Sequence, residues 1–297
     1  MEAFRKTRRR GAALMLSLWA LFLLSAMVIS WALDIDSRLT MSGRANRILE
    51  AEALACSGAE VSLVSKPGSP ALVGGFGRNQ RYEARITGEG GRLNMSWLVA
   101  GENPVRLEVL RKYLEIKGID LNERDRMIDT LLDWVDPDNL VRLNGAEDEP
   151  GYKPANKPLT RIAELKKIKG WEEFTSANDW DSELTLSSSK GSIDLQWAPR
   201  DVILALPGMD EMRVDQFLVL RRGPDEIDGT EDDGITSLQE AEVALGFPPG
   251  QLAQLASFKT DPVMRVVSVG KSGDATRTVR MVFQAGNPIQ LRSWKEF

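Results

Sequence analysis

The distribution of apolar residues changes sharply near the beginning of the chain. Residues 12–33 form an unbroken run without a charged side chain; a basic segment precedes the run, and Asp34 and Asp36 follow it. At about 1.5 Å per residue, a helix of this length spans about 30 Å, which is the thickness of the hydrocarbon core of a bilayer. The pattern therefore predicts a membrane-spanning helix whose basic flank stays in the cytoplasm and whose acidic flank crosses.

The junction between the basic segment and the apolar run allows three interpretations. A secretory signal peptide has an apolar region of about 7–15 residues that ends in small residues, whereas this run is longer and ends in Trp31 and Leu33. A plain single-pass anchor needs no further feature. The third interpretation is a leader that resembles those of prepilin-type proteins. In prepilin-type proteins a membrane peptidase cuts after the glycine, and the apolar helix remains in the mature protein. In this chain the cut would fall between Gly11 and Ala12.

The helical pattern continues beyond the apolar run. Apolar residues recur at three- and four-residue spacing from Ile35 to Val61, and no proline interrupts the chain before Pro67. A helix that is apolar in its first half and amphipathic in its second half is typical of a pilin, in which the second half packs on a globular head. An anchor followed by an ordinary stalk helix is the alternative.

Strands and helices alternate in blocks over the rest of the chain. After a loop at residues 67–77, period-two alternation predicts a β-hairpin from Tyr82–Ile86 and Arg92–Ser96, and a second hairpin from Met264–Val269 and Thr276–Phe283. Helical patterns fill the interval between the hairpins. They comprise Val105–Lys117, Glu123–Val135 with Asn122 as its N-cap, a helix near Leu159–Ile168, a helical pair that opens at Ala198–Pro199 and turns at Leu206–Met209, and a helix near Leu238–Leu245.

This order predicts an α+β fold in which a pilin-like long N-terminal helix packs on a small antiparallel sheet. A large all-α region, SAM-like or helix-hairpin-helix-like, is inserted between the strands. The predicted divisions are a leader at residues 1–11, a transmembrane helix at 12–33, a stalk helix with the first hairpin at 34–100, the inserted region at 101–250 and the closing hairpin at 251–297.

Composition excludes several classes of chemistry. The chain contains no histidine, which excludes Ser–His–Asp and Cys–His catalysis and most zinc sites. The single cysteine, Cys56, cannot form an internal disulfide, and we expect a small buried apolar side chain, with an intermolecular partner as the alternative. The leader holds five of the 38 basic residues and one of the 43 acidic ones, which leaves a net charge of −9 beyond it. That charge disfavours a general phosphate-binding surface.

Several motifs together resemble the K-type minor pseudopilins of the type II secretion system, also called the general secretion pathway protein K family. In chain order they are RRRG before the apolar run, GRLNMS at 91–96, LLDWVDPD at 131–138, NGAED at 144–148, YKPAN at 152–156, ELKKIKGW at 164–171 and APRDVILALPGM at 198–209. Pilins usually carry a glutamate as the fifth mature residue, where this chain has Leu16, and the K-type subunit is similar in lacking it. A buried carboxylate needs a neighbouring amine, so a subunit without that carboxylate suits the end of a filament.

The resemblance implies a role at the tip of the type II secretion pseudopilus, where the subunit would initiate filament assembly and aid the export of folded proteins across the outer membrane. It implies I-type and J-type minor pseudopilins, the pseudopilus, prepilin peptidase and membrane lipid as partners, with no nucleic acid. It also implies methylation and a single-pass inner-membrane location, with a cytoplasmic N-terminus and a periplasmic head.

Two acidic clusters are the candidate chemistry. Calcium takes about six to eight oxygen ligands, mostly carboxylates and carbonyls, and the resemblance implies structural calcium in the inserted region. For the cluster that contains Asp138, the alternative is a solvated loop in which Asp138 or Asn139 caps a turn. The second cluster lacks the spacing of an EF-hand. The first cluster is Asp133, Asp136, Asp138, Glu147 and Asp148, and the second is Asp225, Asp228, Asp232 and Asp233.

Two other functions are alternatives to this interpretation. Paired carboxylates can perform acid–base chemistry, but no nucleophile motif accompanies them here, so we expect no enzymatic activity. The turn at Leu206–Met209 also resembles helix-hairpin-helix modules, which contact DNA phosphates through backbone amides and nearby cations. Acidic residues flank this turn, including Asp210 and Glu211, and they favour a protein contact over a membrane-anchored DNA-binding protein.

Overall fold

The long N-terminal helix dominates the architecture. The computed structural model describes residues 2–177, 179–259 and 261–297, with side chains from Ala13 onward. Helix α1 runs without a break from Glu2 to Ser62. Within the described residues it is the one helix long and apolar enough to cross a membrane, and none of its apolar window is buried. The predicted cleavage site at Gly11–Ala12 lies outside the residues whose side chains are described and stays a prediction.

The remaining elements lie in a head of strands and short helices. In chain order they are β1 (Val73–Phe76), β2 (Gln80–Gly88), β3 (Leu93–Asn94), α2 (Met95–Val99), α3 (Pro104–Ile116), α4 (Leu121–Val135), β4 (Leu184–Thr185), β5 (Ile193–Asp194), α5 (Arg200–Leu204), α6 (Glu211–Arg222), α7 (Leu238–Leu245), β6 (Ala256–Ser257), β7 (Val263–Ser272), β8 (Ala275–Gln284) and β9 (Gln290–Glu296). Short 3₁₀ helices at Pro70–Leu72, Glu89–Gly91, Ala100–Glu102, Ile162–Lys167, Phe174–Ser176 and Leu252–Gln254 join them.

The main sheet packs closely on the second half of α1. Its five antiparallel strands have the order β1-β2-β7-β8-β9. Small buried residues, Ala51, Ala55 and Ala59, form the helix face that meets the sheet. A Cβ atom added to Gly270 would lie 2.0 Å from the carbonyl oxygen of Ala51. The approach of helix to strand therefore depends on residues with little or no side chain.

The helical region is inserted between two neighbouring strands of this sheet. Strand β2 ends at Gly88, which lies opposite Met264 near the beginning of β7, and helices α2 to α7 lie in the chain between these two points. The region has a hydrophobic core of its own, separate from the core under the sheet. Trp171, Tyr113 and Phe217 are among its largest fully buried side chains. The α+β fold class is confirmed, while the boundaries at residues 101 and 250 stay predictions.

The first predicted hairpin is wrong. Tyr82–Ile86 lies in β2, which pairs with β1 and β7, whereas Leu93–Asn94 pairs in parallel with β4. The strand ends after two residues because the Asn94 side chain accepts a hydrogen bond from the backbone amide of Trp97 and caps helix α2. The real first hairpin joins β1 to β2, and β1 lies within the stretch predicted as a loop.

Three smaller predictions also need correction. Helix α4 begins at Leu121, and its N-cap is Asp120 rather than Asn122. The Asp120 carboxylate accepts hydrogen bonds from the backbone amides of Asn122 and Glu123 at 2.9 and 3.2 Å. The helix predicted near Leu159–Ile168 is a 3₁₀ helix at Ile162–Lys167. Cys56 is half-buried rather than buried. Helices α3, α5, α6 and α7 and the hairpin β7–β8 confirm the other predictions, and β9 was not predicted.

Candidate functional site

The apolar half of α1 is an extended exposed apolar surface. Its large side chains stand free on every side of the helix, as at Leu16, Trp19 and Trp31, which are 72, 64 and 70% exposed. The Ser17 hydroxyl donates to the carbonyl oxygen of Leu14 at 2.9 Å, so its polar group is satisfied inside the helix. A helix that is apolar all round belongs in a bilayer or against other helices.

In the first acidic cluster, two carboxylates are tied together by an arginine. Asp133 and Asp136 lie at the end of α4, and Nη1 of Arg142 lies 2.5 Å from an oxygen of each. Nη2 of the same guanidinium donates to Glu102 at 2.6 Å. The Asp133 side chain is fully buried. Arg142 therefore supplies one positive charge to the centre of this cluster and fixes the loop that carries it.

Other oxygens of this cluster have no partner. Both carboxylate oxygens of Glu147 and Oδ1 of Asp136 are buried without a hydrogen bond. Burial raises the pKa of Glu147, and the nearby charges of Asp133, Asp136 and Asp138 raise it further. Such orphaned oxygens are what a divalent cation would satisfy.

The rest of the first cluster is less suited to a cation. Asp138 accepts a hydrogen bond from the amide of Leu140 at 2.8 Å, as in the capped-turn alternative. Asp148 is exposed and lies 4.0 Å from Nζ of Lys153. Across the described residues, no group of three or more His, Cys, Asp or Glu side chains is placed to hold a metal ion. The fit to calcium thus rests on Asp136 and Glu147.

The second acidic cluster is occupied by hydrogen bonds within the protein. Asp228 accepts from Nε of the buried Arg221 at 2.8 Å, and Asp233 accepts from Gln196 and from the amide of Gly229. Asp232 accepts from the amide of Asp225, and Asp225 itself accepts from the amide of Ile227. None of these four carboxylates has a buried oxygen without a partner in the described chain. A cation at this loop stays a prediction that the geometry does not support.

The turn between α5 and α6 has its cations neutralised. Arg200 forms ion pairs with Glu211 and Asp215 at 3.2 and 2.7 Å, and Arg213 lies 3.3 Å from Asp210. Phosphate recognition at such a turn needs free positive charge. The DNA-binding alternative therefore has no support from this surface.

A buried ionic network that the sequence did not reveal joins the inserted region to the sheet. Glu89, which is 1% exposed, accepts from Nε and Nη2 of Arg265 in β7, both at 2.7 Å. Asp181 pairs with Arg280 at 2.6 Å and with Lys295 at 2.7 Å. These partners are far apart in the chain, so no local pattern announces them. A charged residue within the glycine-rich turn Gly88–Gly91 was the one available signal.

Comparison with known proteins gives partial matches that agree with one another. A family model described as type II secretion system (T2SS), protein K, matches residues 91–178. The type II secretion system protein K of Dickeya chrysanthemi is 32% identical over 71 residues, which cover 23% of this chain and 20% of that protein. That of Klebsiella pneumoniae is 35% identical over 75 residues, which cover 23% of each chain. The matched segment therefore spans about a fifth to a quarter of these relatives.

The fold matches over a much longer stretch. A chain in the crystal structure of the GspK-GspI-GspJ complex from the type 2 secretion system of enterotoxigenic Escherichia coli superposes with a TM-score of 0.55. The match covers 88% of this chain and 99% of that chain at 13% identity, so the likeness concerns the fold. Residues 91–178 thus match the domain described for type II secretion system protein K, and the chain is similar in fold to a chain of the GspK-GspI-GspJ complex.

Proposed function

We propose that the chain is a minor pseudopilin that caps the type II secretion pseudopilus, initiates its assembly and aids the export of folded proteins across the outer membrane. The observation that carries this proposal is the division of α1. Its first half is apolar and has no partner in the described chain, whereas its second half is packed on the head. A rod of this kind inserts among similar rods or in lipid, and the proposed role of the head is structural.

The proposed partners are I-type and J-type minor pseudopilins. Support comes from the fold, which the chain shares with one chain of the GspK-GspI-GspJ complex. Leu16 supports a terminal position in the filament. A carboxylate at this depth would need the amine of a neighbouring subunit to offset its desolvation, and a subunit with leucine there needs no such neighbour. Purification of the full chain in detergent from its own cells should recover both partners. Recovery of the chain alone would contradict the proposal.

We also propose that prepilin peptidase cuts between Gly11 and Ala12, that the processed chain is methylated, and that α1 crosses the inner membrane with the head in the periplasm. The basic flank before the apolar run supports this orientation. Mass spectrometry of the purified chain should give the processed mass. Gly11→Leu should retain the leader, and Ala13→Leu, two residues away, should be processed normally. A leader retained by the unchanged chain would refute the cleavage.

Structural calcium at the first acidic cluster is a separate part of the proposal. Its support is the orphaned oxygens of Asp136 and Glu147, beside which Arg142 already neutralises one charge. Calcium should raise the midpoint of thermal unfolding of the full chain and chelation should lower it. Glu147→Gln should remove the response, while Asp225→Asn in the second cluster should keep it. An unchanged midpoint in excess calcium would rule the site out.

A further inference from the structure

The face of the main sheet that is turned away from α1, called the outer face below, is rich in cations. The strand registers place six cationic side chains on it: Arg81, Arg85, Arg265, Lys271, Arg280 and Lys295. In the described strands, Glu83 is the one acidic side chain on this face. Because the whole chain has a net charge of −5, this face differs strongly from the rest of the molecule.

The inserted region already covers one half of the outer face, and it does so with carboxylates. Glu89 pairs with Arg265, and Asp181 pairs with both Arg280 and Lys295. Every one of these cations is thereby matched by an acidic side chain from a loop of the insertion. The covered half therefore shows that acidic side chains pair with the cations of this face.

The other half also carries cationic side chains, but these have no acidic partner in the described chain. Arg81, Arg85 and Lys271 form no ion pair within the described chain. Arg81 lies directly opposite Lys271 in the β2–β7 pairing, and like charges in that position destabilise a sheet. Val267 and Val269 lie beside them in a shallow depression of about 400 Å³, which Glu83 also lines. Glu83 supplies one negative charge against three positive ones, so the depression keeps a net positive charge beside an apolar floor. This combination suits an acidic partner that brings an apolar side chain.

Lipid headgroups are too distant to be that partner. Glu50 of α1 accepts hydrogen bonds from Gln80 and Ser272, which are the chain neighbours of Arg81 and Lys271. Along the helix, Glu50 lies about 25 Å from Leu33, the end of the apolar run, at about 1.5 Å per residue. This is about three Debye lengths at physiological salt. Screening would therefore remove most of the attraction to an anionic bilayer.

We propose that the open half of the outer face, formed by Arg81, Arg85 and Lys271 around Val267 and Val269, is a docking surface for an acidic segment of a partner protein. Carboxylates of the partner pair with the three cations, as those of the insertion do on the covered half. An apolar side chain of the partner contacts the two valines. This surface is separate from the apolar half of α1, so the inference goes beyond the proposed function and does not depend on it.

The test uses the full chain in detergent and a fluorescein-labelled peptide that alternates Glu and Val over eight residues. Fluorescence anisotropy should show binding that weakens as salt is raised, while a peptide of alternating Gln and Val should not bind. The double variant Arg85→Glu with Lys271→Glu should bind at least tenfold more weakly. The control, Lys157→Glu with Lys190→Glu, reverses two exposed charges elsewhere and should bind within twofold of the unchanged chain.

Several results would overturn the inference. They are equal binding of the Glu peptide by the double variant, equal binding of the Gln peptide by the unchanged chain, and a charge reversal that alters binding to phosphatidylglycerol vesicles or self-association but not to the Glu peptide. Folding is checked separately. Lys271→Glu removes a like-charge pair with Arg81 and should not lower the midpoint of thermal unfolding. Arg85→Gln, a smaller change, should still weaken binding of the Glu peptide.

Discussion

Replacement of Glu89 by alanine tests whether the insertion is held on the sheet by its buried ionic contact. Glu89 is 1% exposed and accepts two hydrogen bonds of 2.7 Å from Arg265. It also accepts from Thr185 at 2.5 Å and lies 3.6 Å from the buried guanidinium of Arg92. Burial, together with repulsion from Arg265, lowers the pKa of Arg92. Without Glu89, two guanidinium groups would share a buried site with no carboxylate between them.

The size of the effect follows from this arrangement. Removing one partner of a buried ion pair costs about 3–5 kcal/mol, because the other charge is left uncompensated. For a domain of this size each kcal/mol lowers the midpoint of thermal unfolding by about 2–4 °C. We therefore expect Glu89→Ala to lower that midpoint by about 6–20 °C.

The assay is thermal unfolding of the full chain in detergent, followed by tryptophan fluorescence. Glu83→Ala is the matched control, because Glu83 is exposed on the same sheet and forms no ion pair in the described chain; its effect should stay within about 0.5 kcal/mol. A second variant replaces both Glu89 and Arg265 by methionine and should recover part of the loss. A decrease of less than about 2 °C for Glu89→Ala, or one equal to that of Glu83→Ala, would refute the reasoning.

Two further substitutions test other contacts of the sheet. Burial alone would raise the pKa of Asp181, but hydrogen bonds from its two cationic partners lower it below its ordinary value of 3.8. That stabilisation is therefore present above pH 3.8 and is lost as the pH falls through the lowered pKa. Asp181→Asn should cost about 1–3 kcal/mol in urea unfolding at neutral pH, and the cost should shrink progressively as the pH falls below 3.8. A cost that stays constant across this pH range would contradict this account. Gly270→Ala should lower the free energy of unfolding by about 1–3 kcal/mol, because the new Cβ atom would meet the carbonyl oxygen of Ala51. The control Gly43→Ala adds its Cβ atom in open space and should not destabilise the chain. Equal midpoints of thermal unfolding for the two variants would refute the close approach of helix and strand.

The sequence predicted what depends on local periodicity. The apolar run, the amphipathic second half of α1 and the long alternation of β7 and β8 each extend over enough residues for one pattern to prevail, and the structure confirms them. The first hairpin failed because its second arm alternates over only five residues, and the Asn94 cap ended that strand. Strand β1 was missed because Gly74 and Gly75 read as a loop.

The candidate site was predictable only in part, for a different reason. Asp133 and Asp136 are close in sequence and belong to one helix end, so their proximity was foreseeable. In the sequence, Arg142 looks like any solvated arginine of a polar loop. No local pattern indicates that its guanidinium lies between the carboxylates of Asp133 and Asp136. The pairing of Glu89 with Arg265 joins positions 176 residues apart. Such contacts are decided by which strands become neighbours, and periodicity carries no information about that.

The place where the inserted region leaves the sheet has a mechanical consequence. Gly88 and Met264 lie opposite each other on adjacent antiparallel strands, which are about 4.8 Å apart, so both stems of a whole helical module meet the sheet at the place of an ordinary hairpin turn. Strands β2 and β7 can therefore pair whatever the length of the module between them, in the way that two strands pair through a tight loop. The module's size is free to vary in this geometry as long as its carboxylates, Glu89 and Asp181, still meet the cations of the sheet.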